Sequence, residues 1–136
     1  MKLVIDSNRV IASLLKDSTT RRILSNKSFE FVAPEFIKEE ILKYKKEFIK
    51  KAKITSDEFE ILLSLLFERI ELIPKSEYEG HISKLKKDEI SDKNDIPYIA
   101  CYLSTKAEGI WSHDPHFQKQ NKIKVFTNIN LLNMYR

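Results

Sequence analysis

The apolar positions of this 136-residue chain change period again and again, from short continuous runs to helical spacing and back. Lys2–Asp6 carries the run Leu3-Val4-Ile5 closed by an acid, which predicts a short buried strand. Val10, Ile11, Leu14 and Leu15 then recur at helical spacing over Asn8–Lys16, and Ser18 or Thr19 can cap a second short helix through Asn26. Phe29–Ala33 predicts strand two. Pro34 suits the first turn of a helix, which is predicted to run unbroken to about Lys51 with Phe36, Ile37, Ile41, Tyr44 and Phe48 on one face. Thr55 and Glu58 have capping-box spacing and open a helix through Phe67. Glu68–Ile73 predicts strand three, ended by Pro74. Ser76 and Glu79 repeat the capping-box spacing ahead of a helix to about Lys87, with a polar loop from Asp88 to Asn94. Asp95–Lys106 reads as a helix with an apolar stripe of Ile96, Ile99, Ala100, Leu103 and Ala107. Strands follow at Gly109–Ser112 and Lys122–Phe126, and Thr127 caps a last helix carrying Ile129, Leu131, Leu132 and Met134.

Strands separated by helices predict a three-layer α/β/α fold around a central, mainly parallel five-stranded sheet, with right-handed connections. With no repeat and no linker, residues 1–136 read as one domain, with a helical elaboration around 55–87. Two glycines, Gly80 and Gly109, are too few for a P-loop, a dinucleotide-binding loop or a nucleophile elbow. The single Cys101 excludes an internal disulfide and a cysteine-rich zinc site, and reads as a small unreactive hydrophobe. No signal or membrane segment is visible, so a cytoplasmic protein without a membrane partner is expected. Charge sharpens the picture. Between Lys38 and Lys53 stand seven lysines and three glutamates, an excess equal to the chain's whole net charge of +4. That excess suits a polyanion such as nucleic acid, with Lys43, Lys46 and Lys50 as contacts, and suits a merely solvated helix face equally well. Lys84, Lys86 and Lys87 raise the same choice, with the solvated face as the default.

In parallel sheets ligands bind beyond the carboxyl ends of the strands. Strand one ends at Asp6 and strand four at Ser112-His113-Asp114. Both acids precede helices, so plain capping competes with a functional role. Glu40 is sharper, because the apolar face of its helix spans roughly 140° and Glu40 falls inside it, whereas Glu39 falls on the lysine side. A carboxylate there must be paired, protonated or bound to a cation. Asp92 and Asp95 precede the next helix; one caps it, and the other or both point toward the strand ends. Four carboxylates brought together (Asp6, Glu40, Asp95, Asp114) repel one another unless a cation intervenes, and oxygen-only ligands favour Mg²⁺ or Mn²⁺ over Zn²⁺. Such a cation is suited to phosphodiester hydrolysis. Trp111 reads as core. Tyr98 and Tyr102 are expected on the outer side of their helix, placed to stack on bases or to line a dimer contact. His113 and His116 sit on a turn and read as hydrogen-bonding groups, with His116 near enough to Asp114 to touch a metal or phosphate.

The ordered set of segments resembles the PIN-domain nuclease family. VIDSNRVIASLL is similar to its opening strand, acid and helix; PEFIKEEI to its second motif, with Glu40 before Ile41; DIPYIACYLS to its third, with Asp95; GIWSHDPHF to its fourth, with Asp114; and IKVFTNINLL to its closing strand, cap and helix. The resemblance implies a parallel sheet with the acids at its carboxyl edge and Mg²⁺- or Mn²⁺-dependent cleavage of RNA. It implies that Asp6, Glu40, Asp95 and Asp114 hold the metal, with Asn8, Asp92, Ser112 and His116 orienting carboxylates or water around it. Many members are toxins held by an antitoxin protein, so an RNA substrate, an antitoxin and a second copy of the chain are the partners implied. Two features depart from the family: His116 stands where a further acid is frequent, and residues 55–87 are longer than in the smallest members. Two rivals remain. One is a PIN-like RNA- or protein-binding module with weak catalysis. The other is a phosphotransfer enzyme of haloacid-dehalogenase type, which needs an acid where Asn8 stands.

Overall fold

The computed structural model describes residues 1–85, 92–118 and 123–134. Five strands form one sheet: β1 (Lys2–Ile5), β2 (Glu30–Pro34), β3 (Ile70–Ile73), β4 (Gly109–Trp111) and β5 (Val125–Phe126). Their spatial order is β3-β2-β1-β4-β5 and every pairing is parallel. The mainly parallel sheet expected from the sequence is therefore wholly parallel among the described residues. Parallel pairing requires crossovers, and helices supply them. These are α1 (Ser7–Leu14), α2 (Ser18–Ser25), α3 (Phe36–Lys43), α4 (Lys45–Ala52), α5 (Ser56–Phe67), α6 (Lys75–Ile82), α7 (Ile96–Thr105), α8 (Pro115–Gln118) and α9 (Asn128–Met134). Helices on both faces explain why the strands read as continuous apolar runs: Leu3, Val4, Ile5, Ile110 and Trp111 are all fully buried. Among the described residues, no helix is long and apolar enough to cross a membrane.

The chain proceeds outward from β1 through β2 to β3, then returns to the other side of β1 to lay down β4 and β5. The sheet thus reverses its direction of growth between β1 and β4. In open α/β sheets that reversal opens a crevice at the strands' carboxyl ends. The register pairs Ile5 with Trp111, so Asp6 and Ser112 leave the sheet side by side.

Three local expectations are corrected. The helix predicted from Pro34 to Lys51 breaks at Tyr44 into α3 and α4. The break turns α4 onto α5, where Phe48 meets Phe59 at 5.4 Å and Lys45 pairs with Glu60 at 2.6 Å, so tertiary packing overrides a continuous period. Ser76 and Glu79 form no capping box. The helix starts two residues earlier than that box requires, behind Pro74, and the Lys75 N–H donates to Glu35 Oε1 at 3.0 Å. Asp17, not Ser18 or Thr19, caps α2, accepting from the Thr20 N–H at 2.8 Å. The Thr55–Glu58 capping box forms as read. The predicted ends at Lys87 and Lys122, the loop over 88–91, and Lys86 lie outside the described residues.

Candidate metal centre

Asp6 follows β1 and its N–H donates to the Trp111 carbonyl at 3.1 Å, which fixes it at the β1–β4 crevice. Asp6 occupies the N-cap of α1, yet its carboxylate makes no capping hydrogen bond. Instead Oδ2 accepts from the Ser112 hydroxyl at 2.7 Å, and Ser7 Oγ lies 3.4 Å from Oδ1. Ser112 Oγ also accepts the Asp114 N–H at 2.9 Å, so one buried hydroxyl ties the acid after β1 to the acid after β4. The side chain is only 5% exposed. Burial raises the Asp6 pKa above the ordinary carboxylate value; the Ser112 bond opposes this, and the charge of Asp114 adds to it.

Asp95 ends a 3₁₀ turn (Lys93–Asp95) that leads into α7. The two candidate acids of this segment divide the work. Asp92 is the cap, with Oδ1 accepting from the Asn94 N–H at 2.9 Å. Asp95 caps nothing. It is 6% exposed, and among the described residues its buried Oδ2 has no hydrogen-bond partner. Its carboxyl is pushed up to about 7, first by burial and then by Asp92, Asp114, Asp6 and Glu40. Every other candidate acid therefore bears on Asp95, which places the carboxylates in one electrostatic neighbourhood. Glu40, on α3, is half-buried and accepts a hydrogen bond of 2.5 Å from the Tyr98 hydroxyl. Burial raises its pKa, the Tyr98 bond lowers it, and Asp6 raises it again. Asp114 accepts the His116 N–H at 2.9 Å, and His116 Nδ1 stands 3.2 Å from the same oxygen.

Among the described residues, none of the four acids is ion-paired with a lysine or arginine. The capping role weighed against Asp6 and Asp95 fails for Asp95, and Asp6 makes no capping hydrogen bond although it sits at the N-terminus of α1. For Asp114 it is met in part, through the His116 N–H. A buried carboxylate oxygen without a donor, inside a set of mutually repelling carboxylates, is the environment a hard divalent cation relieves. The residues present fit such an ion.

Other candidates fall elsewhere. The backbone N–H groups of Ser7 and Asn8 favour the Asp6 charge, but the Asn8 side chain is exposed and lines a cavity of about 270 Å³ with Ile11, Ile41, Tyr44 and Phe48. Among the described residues it makes no hydrogen bond to an acid. Lys43, Lys46 and Lys50 are all exposed, and Lys43 lies near enough to Glu40 to lower its pKa. His113 Nε2 accepts the Asn128 N–H at 3.1 Å. Trp111 is fully buried, with Nε1 donating to Asn128 Oδ1 at 2.8 Å, as a core residue should. Cys101 is buried with its thiol pushed up to about 12, so it stays protonated and inert.

Tyr98 corrects the sequence reading. It is 1% exposed, faces inward and holds Glu40; it is not on the outer side of α7. Its phenol is correspondingly raised, by burial and by the Glu40 charge. The missed signal was available: Tyr98 falls between Asp95 and the Ile99-Ala100 pair, inside the buried arc of the helix. A buried tyrosine needs a hydroxyl partner, and the half-buried Glu40 carboxylate accepts from it.

Comparison with known proteins follows the same lines. No curated protein matches the chain. A solved chain from the crystal structure of VapBC2 from Rickettsia felis, bound to a DNA fragment from their promoter, superposes with a TM-score of 0.69 at 12% identity, covering 93% of this chain and 98% of that one. At that identity the likeness is one of fold. The family model described as PIN domain matches residues 4–129, a span that contains all four acids. The chain belongs to the PIN-domain family, a family of nucleases.

Proposed function

We propose that this protein is a Mg²⁺- or Mn²⁺-dependent endoribonuclease and the toxin of a toxin–antitoxin pair. One observation carries the reading: among the described residues, Asp95 has a buried oxygen without a hydrogen-bond partner and feels the charge of Asp6, Glu40, Asp92 and Asp114, none of them ion-paired with a lysine or arginine. Asp6, Glu40, Asp95 and Asp114 would hold the cation. When bound, it supplies Lewis-acid charge to a phosphodiester oxygen and lowers the pKa of water. The protein's own groups do the positioning. Ser112 holds Asp6 and the Asp114 backbone in one arrangement, and Tyr98 holds Glu40, which limits the reorganisation that Asp6 and Glu40 need when the ion arrives. The exposed Lys43, Lys46 and Lys50 lie on the same α3–α4 segment as Glu40, where they would contact RNA phosphates. In-line hydrolysis at this site leaves 3′-hydroxyl and 5′-phosphate ends. The likeness to the VapBC2 chain supports an antitoxin partner.

The experiment is digestion of a mixed RNA pool with and without Mn²⁺, with mapping of the ends. Cleavage should need the metal, yield 5′-phosphates and vanish in Asp6→Asn. Cleavage that survives both EDTA and Asp6→Asn would overturn the assignment.

A further inference from the structure

We propose that Asp92, Asp95 and His116 form a mixed carboxylate–imidazole cation subsite at the edge of the acidic pocket, and that this subsite selects a transition-metal ion such as Mn²⁺ over Mg²⁺. One potential ligand atom from each of the three residues lies within 4.8 Å of the other two. A cation with bonds of about 2.0–2.2 Å gathers such atoms after modest side-chain movement. The movement is available, because His116 is exposed and Asp92 half-buried, while Asp95 is buried.

Among the described residues, each of the three brings an unspent donor. Asp95 Oδ2 is buried with no hydrogen-bond partner. Asp92 spends Oδ1 on the Asn94 N–H, which leaves its other oxygen. His116 is held at Nδ1, 3.2 Å from Asp114 Oδ1. A carboxylate beside one ring nitrogen is the usual companion of a metal-ligating imidazole, since it fixes the ring and leaves the second nitrogen to the metal.

The donor chemistry sets the selectivity. Mg²⁺ demands near-ideal octahedral oxygen coordination and dehydrates reluctantly, whereas an imidazole nitrogen suits first-row transition metals. The inference deepens the proposed function and rests on it for a divalent cation at this end of the sheet.

The test is Mn²⁺ binding to the intact protein by calorimetry, with pulsed electron paramagnetic resonance of the bound ion. The wild type should show nitrogen modulation, which His116→Ala should abolish while weakening Mn²⁺ about tenfold or more. Mg²⁺ affinity should change much less. Asp92→Asn, which keeps an oxygen for the Asn94 N–H, should likewise weaken Mn²⁺. Bound Mn²⁺ without nitrogen coupling, coupling that persists in His116→Ala (from His81 or His113), or no bound Mn²⁺ would overturn the subsite. The nuclease reading is judged separately, by RNA cleavage in Asp6→Asn. Nitrogen coupling together with undiminished cleavage in that variant would leave the subsite standing and remove the reaction.

Discussion

Replacing Asp95 with Asn should stabilise the metal-free protein at high pH while removing its activity. Asp95 has its carboxyl raised from 3.8 to about 7 by burial and by four neighbouring acids. About three pKa units correspond to about 4 kcal/mol, an upper bound on what its ionisation costs the fold. The sign follows from the direction of the shift. Because the folded value exceeds the unfolded one, stability is full below about pH 4 and is lost as pH rises toward 7. Asparagine carries no charge but brings an amide that also wants partners at this buried position, so the expected gain at pH 8 is about 1–3 kcal/mol. Urea denaturation in EDTA at pH 8, 6 and 4 measures it. The advantage of Asp95→Asn over wild type should be largest at pH 8 and shrink toward pH 4. Saturating Mn²⁺ at pH 8 should reverse the order, since only the wild type keeps the full ligand set and gains from binding. A variant that is destabilised at pH 8, or a difference that ignores pH, would refute the claim that Asp95 sits charged, unpaired and crowded.

Other consequences follow from the same geometry. Ser112→Ala deletes a donor to Asp6 and an acceptor for the Asp114 N–H, and should cost about 1–3 kcal/mol in thermal or urea melts besides reducing cleavage. Tyr98→Phe keeps the ring but removes the donor to Glu40; Glu40 should then protonate at higher pH, and the rise of activity with pH should move up, read from a pH–rate profile. Gly109→Ala places a Cβ 2.3 Å from Phe126 Cε2 and 2.9 Å from the Lys124 carbonyl, so β4 and β5 must separate; a loss of about 1–3 kcal/mol or more is expected in urea melts.

Much of this architecture is legible in the sequence because β1, β2 and β4 are buried on both faces, and double burial writes itself as unbroken apolar runs such as Leu3-Val4-Ile5. The acids are legible as interruptions of those patterns: Asp6 ends a greasy run, and Glu40 intrudes on an apolar helix face. What escapes is whatever depends on contacts between distant segments. The break at Tyr44 arises from α4 packing on α5, which no local period encodes. The choice between Asp92 and Asp95 as cap turns on a single N–H, that of Asn94. The inward turn of Tyr98 is fixed by Glu40, 58 positions earlier in the chain. The Ser112 link between Asp6 and the Asp114 backbone spans 106 positions and exists only because β1 and β4 are neighbours.

The most direct examination of the central claim is an anomalous difference map from crystals grown with Mn²⁺. A peak at coordination distance from carboxylate oxygens of Asp6, Asp95 and Asp114, with Glu40 directed toward it, is the predicted result. Carboxylates engaged by lysine or arginine side chains, with no peak beyond the ends of β1 and β4, would contradict it.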